Sequence, residues 1–174
     1  MSEIEKLSKE LLSLAGEYAV ASELCRRGIY AQLTLGTRKK TDLLIDTESK
    51  MARIQVKTKN VGNWPFCKGI YGGDIVLVFV DYQGKRLDGE PDFYMPDFYI
   101  LTSKDWETLV KRELGKKISK GEVELNSENC PIYINRPVNR KGNRGMDVTP
   151  RQIVEHRGRW DKIEVLKMRV LLDS

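Results

Sequence analysis

The chain has one histidine, His156, and this scarcity removes several kinds of metal site. A His-rich zinc site, a helix with two histidine ligands and an HNH-type centre all need more than one imidazole. Cysteine is sparse too: the three residues, Cys25, Cys67 and Cys130, are odd in number and far apart. That spacing excludes a disulfide framework and a CxxC metal knuckle, and it indicates reduced thiols.

Long hydrophobic runs are also missing. No apolar stretch approaches the roughly 20 residues that cross a bilayer. The first ten residues, MSEIEKLSKE, are charged and lack the apolar stretch of a signal peptide. We therefore expect no membrane partner and a cytoplasmic location. The 174 residues, 40% of them hydrophobic, suit one domain with a single core.

The net charge of +5 is unevenly distributed. Residues 26–60 hold nine basic and three acidic side chains, and residues 136–160 hold seven basic and two acidic ones. Arginine dominates the second window, and the guanidinium fork suits phosphate. These windows favour a nucleic-acid partner. A solvated basic surface is the alternative for either window alone.

Hydrophobic periodicity predicts a helix followed by strands. A capping box at residues 2–5 starts the helix, Gly28 ends it, and apolar residues follow at helical spacing, at Ile4, Leu7, Leu11 and Leu14. Strands are predicted at residues 29–35, 42–47, 51–58, 74–82 and 98–101, and the second and third form a hairpin. Thr102 and Asp105 open another helix. Loops are predicted at residues 61–73 and 137–148. This order predicts an α/β fold, a mixed central sheet flanked by helices.

Two neighbouring predicted strands carry polar residues that could act in catalysis or bind a metal ion. Asp42 opens an apolar strand, and Ile54-Gln55-Val56-Lys57 lies in the next one. Residues two apart share a strand face, so Gln55 and Lys57 project together, opposite the apolar Ile54 and Val56. A hairpin brings Asp42 near Lys57.

Glu17 is the candidate that the first helix contributes. At about 100° per residue, Leu14, Val20, Ala21 and Leu24 lie within about 60° of it. A carboxylate in an arc that packs on the sheet must be paired, hydrogen-bonded or metal-bound. The alternative is a carboxylate at the core edge, bonded to a neighbouring Arg or Lys.

These pieces resemble the PD-(D/E)XK nuclease superfamily, which has a restriction-endonuclease-like fold. The matching segments are Gly16-Glu17, Thr41-Asp42-Leu43-Leu44-Ile45 and Ile54-Gln55-Val56-Lys57-Thr58. The Q-x-K form is similar to that of group I intron-encoded homing endonucleases and archaeal Holliday-junction resolvases. The resemblance implies a core with αβββαβ order in residues 1–115. Residues 116–174 are then a basic extension packed on the same domain.

The resemblance also implies an activity, the Mg²⁺-dependent hydrolysis of DNA phosphodiester bonds by an endonuclease. Asp42, Gln55 and Glu17 would hold the metal, for which Mn²⁺ can substitute, and Lys57 would orient or deprotonate the attacking water. Glu17, Asp42, Gln55 and Lys57 form the implied catalytic set. Because two strands need two sites, a homodimer or a larger even homo-oligomer is expected.

Gln55 stands where the superfamily has an acid, so the site has two carboxylates and weaker metal binding is expected. An alternative is therefore a catalytically inactive nucleic-acid-binding module with the same fold. A third hypothesis is a partner-binding α/β protein in which the motif is accidental. Phosphate contacts are predicted at Lys39, Lys40, Lys59, Arg140, Lys141, Arg144, Arg151, Arg157 and Arg159.

Overall fold

The structure, a computed structural model, describes residues 7–34, 41–46, 51–70, 72, 74–85, 94–134 and 144–163. In chain order its elements are α1 (Lys9–Arg26), β1 (Ala31–Leu33), β2 (Leu43–Asp46), β3 (Met51–Lys59), β4 (Trp64–Cys67), β5 (Ile75–Asp81), β6 (Asp97–Thr102), α2 (Ser103–Ser119), β7 (Val123–Leu125), β8 (Pro131–Tyr133), β9 (Met146–Val148) and a 3₁₀ helix (Pro150–His156).

The central sheet has the order β1-β2-β3-β5-β6. β1, β2 and β3 are antiparallel neighbours, β3 and β5 run parallel, and β5 and β6 are antiparallel. The predicted mixed sheet flanked by helices is confirmed. The described order differs from αβββαβ: six strands, β1 to β6, lie between α1 and α2, and β4, not a helix, lies between β3 and β5 among the described residues.

One edge of β3 is only partly paired. β2 pairs with it from Leu43 opposite Ile54 to Asp46 opposite Met51. Within the described ranges, β3 then continues to Lys59 with β5 alone as its ladder partner. Among these residues the second half of β3 has no strand partner on its β2 side, an edge that we call the open edge, and α1 packs across this part of the sheet.

Helix α1 begins later than predicted. Ser8 is the N-cap, and its hydroxyl accepts a hydrogen bond from the Leu11 N–H at 3.2 Å. Residues 1–6, which hold the predicted capping box, lie outside the described residues. The glycine end is confirmed: Gly28 has φ +73°, and the N–H of Ile29 reaches back to the Leu24 carbonyl at 3.0 Å.

The predicted packing face of α1 is confirmed at Val20, Ala21 and Leu24 and wrong at Leu14, which is exposed. Its buried residues are Leu12, Gly16, Val20, Ala21 and Leu24. The apolar residues that carry the helical spacing form instead an exposed stripe on the opposite face, Leu7, Leu11, Leu14 and Tyr18. Small residues on the buried face allow the helix to lie close to the strands.

The other face of the sheet is covered by α2, β4, β7, β9 and the 3₁₀ helix, whereas Trp160 and Ile163 pack in the cluster beneath α1. Thr102 and Asp105 form the predicted capping box, and Trp106 and Leu109 of α2 are buried against the sheet. β4 pairs with β9, and β7 with β8. The loop prediction was wrong for β4 and β9, because each strand finds its partner some 80 residues away. Among the described residues, no helix has the length and apolar character to cross a membrane.

Gly16 is the point of closest approach between α1 and β3. A Cβ atom built on this residue would lie 1.9 Å from Thr58 Oγ1 and 3.0 Å from Thr58 Cβ. Thr58 Oγ1 is itself buried without a hydrogen-bond partner among the described residues. No other residue type than glycine fits here without moving the helix.

We predict that Gly16→Ala destabilises the protein by about 1–3 kcal/mol, because the added methyl group forces α1 away from β3. Gly115→Ala is the matched control: this helical glycine in α2 has nothing within 4 Å of a built Cβ. That change should stabilise by about 0.5–1 kcal/mol through helix propensity. Urea unfolding followed by circular dichroism measures both, and equal stability of Gly16→Ala and the wild type would contradict the proposed contact.

Candidate active site at the open edge of β3

Asp42 lies where β2 separates from β3. Its backbone N–H donates to the Ile54 carbonyl at 2.8 Å, and its carboxylate Oδ2 accepts from the Val56 N–H at 2.6 Å. The side chain thus occupies the position of the missing strand partner. Because both bonds fix the residue, the carboxylate is held at the open edge with Oδ1 available for another interaction.

Gln55 and Lys57 alternate with core residues along β3. Ile54 and Val56 belong to the buried cluster beneath α1, as their spacing predicts. Gln55 is buried, with 9% of its surface exposed, and Lys57 is half-buried. Within the described ranges, the Lys57 ammonium has no ion-pair partner. It is therefore a positive charge held on a strand and available to a ligand.

Glu17 lies at the border of the packed face of α1. Val20, Ala21 and Leu24 pack on the sheet as predicted, but Leu14 is exposed and Glu17 is half-buried. Ser13 Oγ donates a hydrogen bond to Glu17 Oε1 at 3.3 Å. Of the alternatives for Glu17, a pair with a neighbouring Arg or Lys is not found among the described residues.

Electrostatics link Glu17, Asp42 and Lys57. Burial raises the pKa of Glu17, and the Asp42 carboxylate raises it further, while the Ser13 hydrogen bond and the Lys57 charge lower it. Burial also raises the pKa of Asp42, against the lowering effect of the Val56 N–H and of Lys57. Two carboxylates and one ammonium therefore lie within range of one another. Each carboxylate is more easily protonated than an ordinary one.

Cys67 of β4 lies on the same side of the site as Lys57. Burial raises the pKa of its thiol to about 12, although the Lys57 charge acts to lower it. The thiol stays protonated at neutral pH and adds no charge to the site. The negative charge facing Lys57 comes from Glu17 and Asp42.

The donor set suits a hard divalent cation. Two carboxylates and the Gln55 amide offer oxygen atoms, the ligands that Mg²⁺ prefers, and Mg²⁺ commonly keeps several waters. The described residues contain no group of three or more His, Cys, Asp or Glu side chains that could hold a metal ion. Any ion here would rely on the amide and on water to complete its coordination.

Lys59, predicted to contact phosphate, is instead a core residue. It is 3% exposed, its ammonium lies 2.7 Å from Asp81 Oδ1 and 2.8 Å from Gln83 Oε1, and it stacks over the Trp64 ring at 4.9 Å. This prediction was wrong, because Asp81 of the parallel strand β5 takes up the charge.

Two of the C-terminal arginines are held in ion pairs. Arg157 forms a bridge with Tyr99 of the edge strand β6, and its guanidinium pairs with Asp97 at 2.8 Å. Arg159 pairs with Asp161 at 2.8 Å. Arg144 and Arg151 are exposed and stay predictions as phosphate contacts. The remaining candidates lie outside the described residues: Lys39, Lys40, Arg140 and Lys141.

Ser13 is a site residue that the sequence reasoning missed. It lies four residues before Glu17 on α1, a spacing at which helical side chains meet. The hydroxyl orients the carboxylate and lowers its pKa. The i, i+4 relation to a candidate ligand was the signal that could have identified it.

No protein-family model and no curated protein matches the chain. Among solved structures, the bacterial homing endonuclease I-Ssp6803I is similar over 96% of this chain and 100% of its own, with 18% sequence identity and a TM-score of 0.47.

We predict that Glu17→Gln stabilises the metal-free protein at pH 7 by less than about 1 kcal/mol, a small value because solvent screens a half-buried charge. The folded-state pKa of Glu17 is raised above 4.5. The wild type therefore loses stability relative to the variant as the pH rises through that raised pKa, and the difference vanishes below 4.5. Urea unfolding at several pH values measures it.

Glu113→Gln is the control, and its change in the free energy of unfolding should have the opposite sign. Gln152 and Arg112 hold the pKa of Glu113 below 4.5. This variant should therefore be less stable than the wild type at pH 7, and the difference should fade as the pH falls through the lowered pKa. The same sign for both variants would contradict the electrostatic account of Glu17.

Proposed function

We propose that the protein is a metal-dependent DNA endonuclease that hydrolyses phosphodiester bonds at the open edge of β3. The observation that carries the proposal is the position of Asp42, bonded to the Val56 N–H next to Lys57 and within electrostatic range of Glu17. Among the described residues, no strand covers this edge of β3. Acidic groups for a cation beside a free ammonium form the arrangement that phosphodiester hydrolysis needs.

Asp42, Glu17 and Gln55 are the proposed ligands of Mg²⁺, with Mn²⁺ as a substitute. The bound metal would neutralise negative charge on the phosphate. Asp42 is the anchor, because its two hydrogen bonds to β3 leave it little freedom. Glu17 is oriented by Ser13. Burial raises the pKa of Glu17 and the Asp42 carboxylate raises it further, and a bound cation would offset the repulsion between the two carboxylates.

Lys57 is the proposed catalytic cation. Its strand position fixes the stem of the side chain, while the ammonium has no ion pair in the described part of the chain. From there it can orient the attacking water and stabilise charge on the phosphate in the transition state. The proposal includes pairing of two copies, since one such site cuts one strand of a duplex. Light scattering during size-exclusion chromatography measures that pairing.

A second candidate is a nucleic-acid-binding module with the same fold and no catalysis. Gln55 is the observation that favours it, because an amide brings no charge to a site that otherwise has two carboxylates. Weak cation binding would leave a surface that holds DNA but does not cut it.

We predict that Lys57→Ala lowers cleavage of supercoiled plasmid in Mg²⁺ by at least about 10²-fold, and that Asp42→Ala abolishes it. Asp42→Asn separates charge from folding, because the amide oxygen can still accept the Val56 N–H while the metal loses its anchoring carboxylate. The plasmid assay is read on agarose gels, with circular dichroism as the test of folding.

Asp46→Asn and Lys111→Ala are the matched controls for these variants. Asp46 is an exposed carboxylate at the other end of β2, and Lys111 is an exposed lysine of α2. Both should cleave at the wild-type rate. Cleavage that survives both Asp42→Asn and Lys57→Ala would refute the endonuclease proposal.

We predict that Gln55→Glu tightens Mg²⁺ binding by about tenfold, or about 1.4 kcal/mol, because a third carboxylate joins the site without a change of size. Isothermal titration calorimetry measures the affinity. Cleavage by the wild type supports the endonuclease. If the wild type does not cleave DNA and the Gln55→Glu variant does, the result supports the binding module instead.

A further inference from the structure

A cleft of about 510 Å³ opens beside Lys57, between the first turns of α1 and the end of β3. Helix α1 contributes Lys9, Leu12 and Ser13 to its wall. The turn after β3 and the start of β4 contribute Val61 and Pro65. The cleft therefore combines an apolar wall with polar groups at its ends, and its volume lies in the range of small-ligand sites.

The charges around this cleft are positive. The lining residues that the structure describes include Lys9, Lys57 and Lys59 and contain no carboxylate side chain. The Lys59 ammonium is neutralised by Asp81 at 2.7 Å. Lys9 and Lys57 have no ion pair within the described ranges. Lys57 is within electrostatic range of Glu17 and Asp42, whereas Lys9 offers its ammonium to an anion that enters the cleft.

The cleft is continuous with the candidate active site. Lys57 belongs to both, and Ser13, which lines the cleft, donates to the Glu17 carboxylate at 3.3 Å. The proposed metal ligands therefore adjoin the cleft through Ser13 and Lys57, and Lys9 lies one helical turn from Ser13 in its wall. A chain with repeating phosphates that is held at Asp42 would continue into this space.

We propose that the cleft binds one nucleotide of the substrate strand, next to the phosphate that is cleaved. Its backbone phosphate lies at Lys9, and its deoxyribose packs on Leu12, Val61 and Pro65. This assignment rests on the proposed function, because it takes the cleaved phosphate to be at Asp42 and Lys57. Lys9 is then a substrate-positioning residue that contacts phosphate without reading sequence.

Lys9→Ala tests the contact, with Lys104→Ala as the matched control. Lys104 is an exposed lysine in the first turn of α2, as Lys9 is in α1. Binding of a fluorescent 30-base-pair duplex is measured over a range of NaCl concentrations in Ca²⁺. Loss of one phosphate contact should make the slope of log K against log salt less negative by about 0.9. The control should keep the wild-type slope.

Plasmid cleavage by the same variants separates positioning from catalysis. Lys9→Ala should raise KM by about three- to tenfold and leave kcat within about twofold, since the contact is equal in ground and transition states. A second experiment replaces single phosphates on either side of the mapped cleavage point by neutral methylphosphonates. One neighbouring position should weaken binding to the wild type and to Lys104→Ala, but not to Lys9→Ala.

The outcomes distinguish this assignment from the proposed function. A wild type that cleaves while Lys9→Ala keeps its slope and KM refutes the cleft assignment alone. Equal effects of Lys9→Ala and Lys104→Ala refute it too, because they indicate a non-specific charge effect. A wild type that binds but never cleaves refutes the endonuclease, and the slope then decides whether Lys9 contacts phosphate. A wild type that binds no DNA refutes both.

Discussion

The hydrogen bond from the Val56 N–H to the Asp42 carboxylate is the interaction on which the candidate site depends. β2 leaves β3 after Ile54, so the next N–H on that edge of β3 would lack a strand partner. A buried N–H without an acceptor costs about 1–3 kcal/mol. The carboxylate supplies the acceptor, and by doing so it is fixed at the point where β3 is uncovered. The same hydrogen bond therefore satisfies a backbone donor and fixes the position of a candidate metal ligand.

The close packing of α1 on β3 sets the second half of the site. Gly16 lets the helix approach Thr58, and this approach brings Glu17 towards Asp42. The consequence is a pair of partly buried carboxylates, each with a raised pKa. Such a pair opposes folding when no cation is present. Functional sites are commonly less stable than the rest of a fold, because they contain groups that packing alone would not favour.

The parts of the fold that sequence predicts well are those with a local signal. β3, β5 and the capping box of α2 each show their pattern within a few residues, and Asp42, Gln55 and Lys57 are located by strand alternation. The buried face of α1 was predicted in part: Val20, Ala21 and Leu24 are buried but Leu14 is exposed, and the close approach at Gly16 has no hydrophobic signal in the sequence. Lys59 shares its strand face with Lys57, yet it pairs with Asp81, a partner 22 residues away that no local pattern identifies.

The burial of two of the three thiols has a practical consequence for spectroscopy. Cys67 and Cys130 are buried with raised pKa values, whereas Cys25 is exposed near the end of α1. The thiolate is the species that attacks a maleimide, so native protein should be labelled at Cys25 without prior mutagenesis. A fluorophore or spin label there sits two helical turns from Glu17. The unmodified chain thus provides its own reporter for distances between α1 and an added duplex.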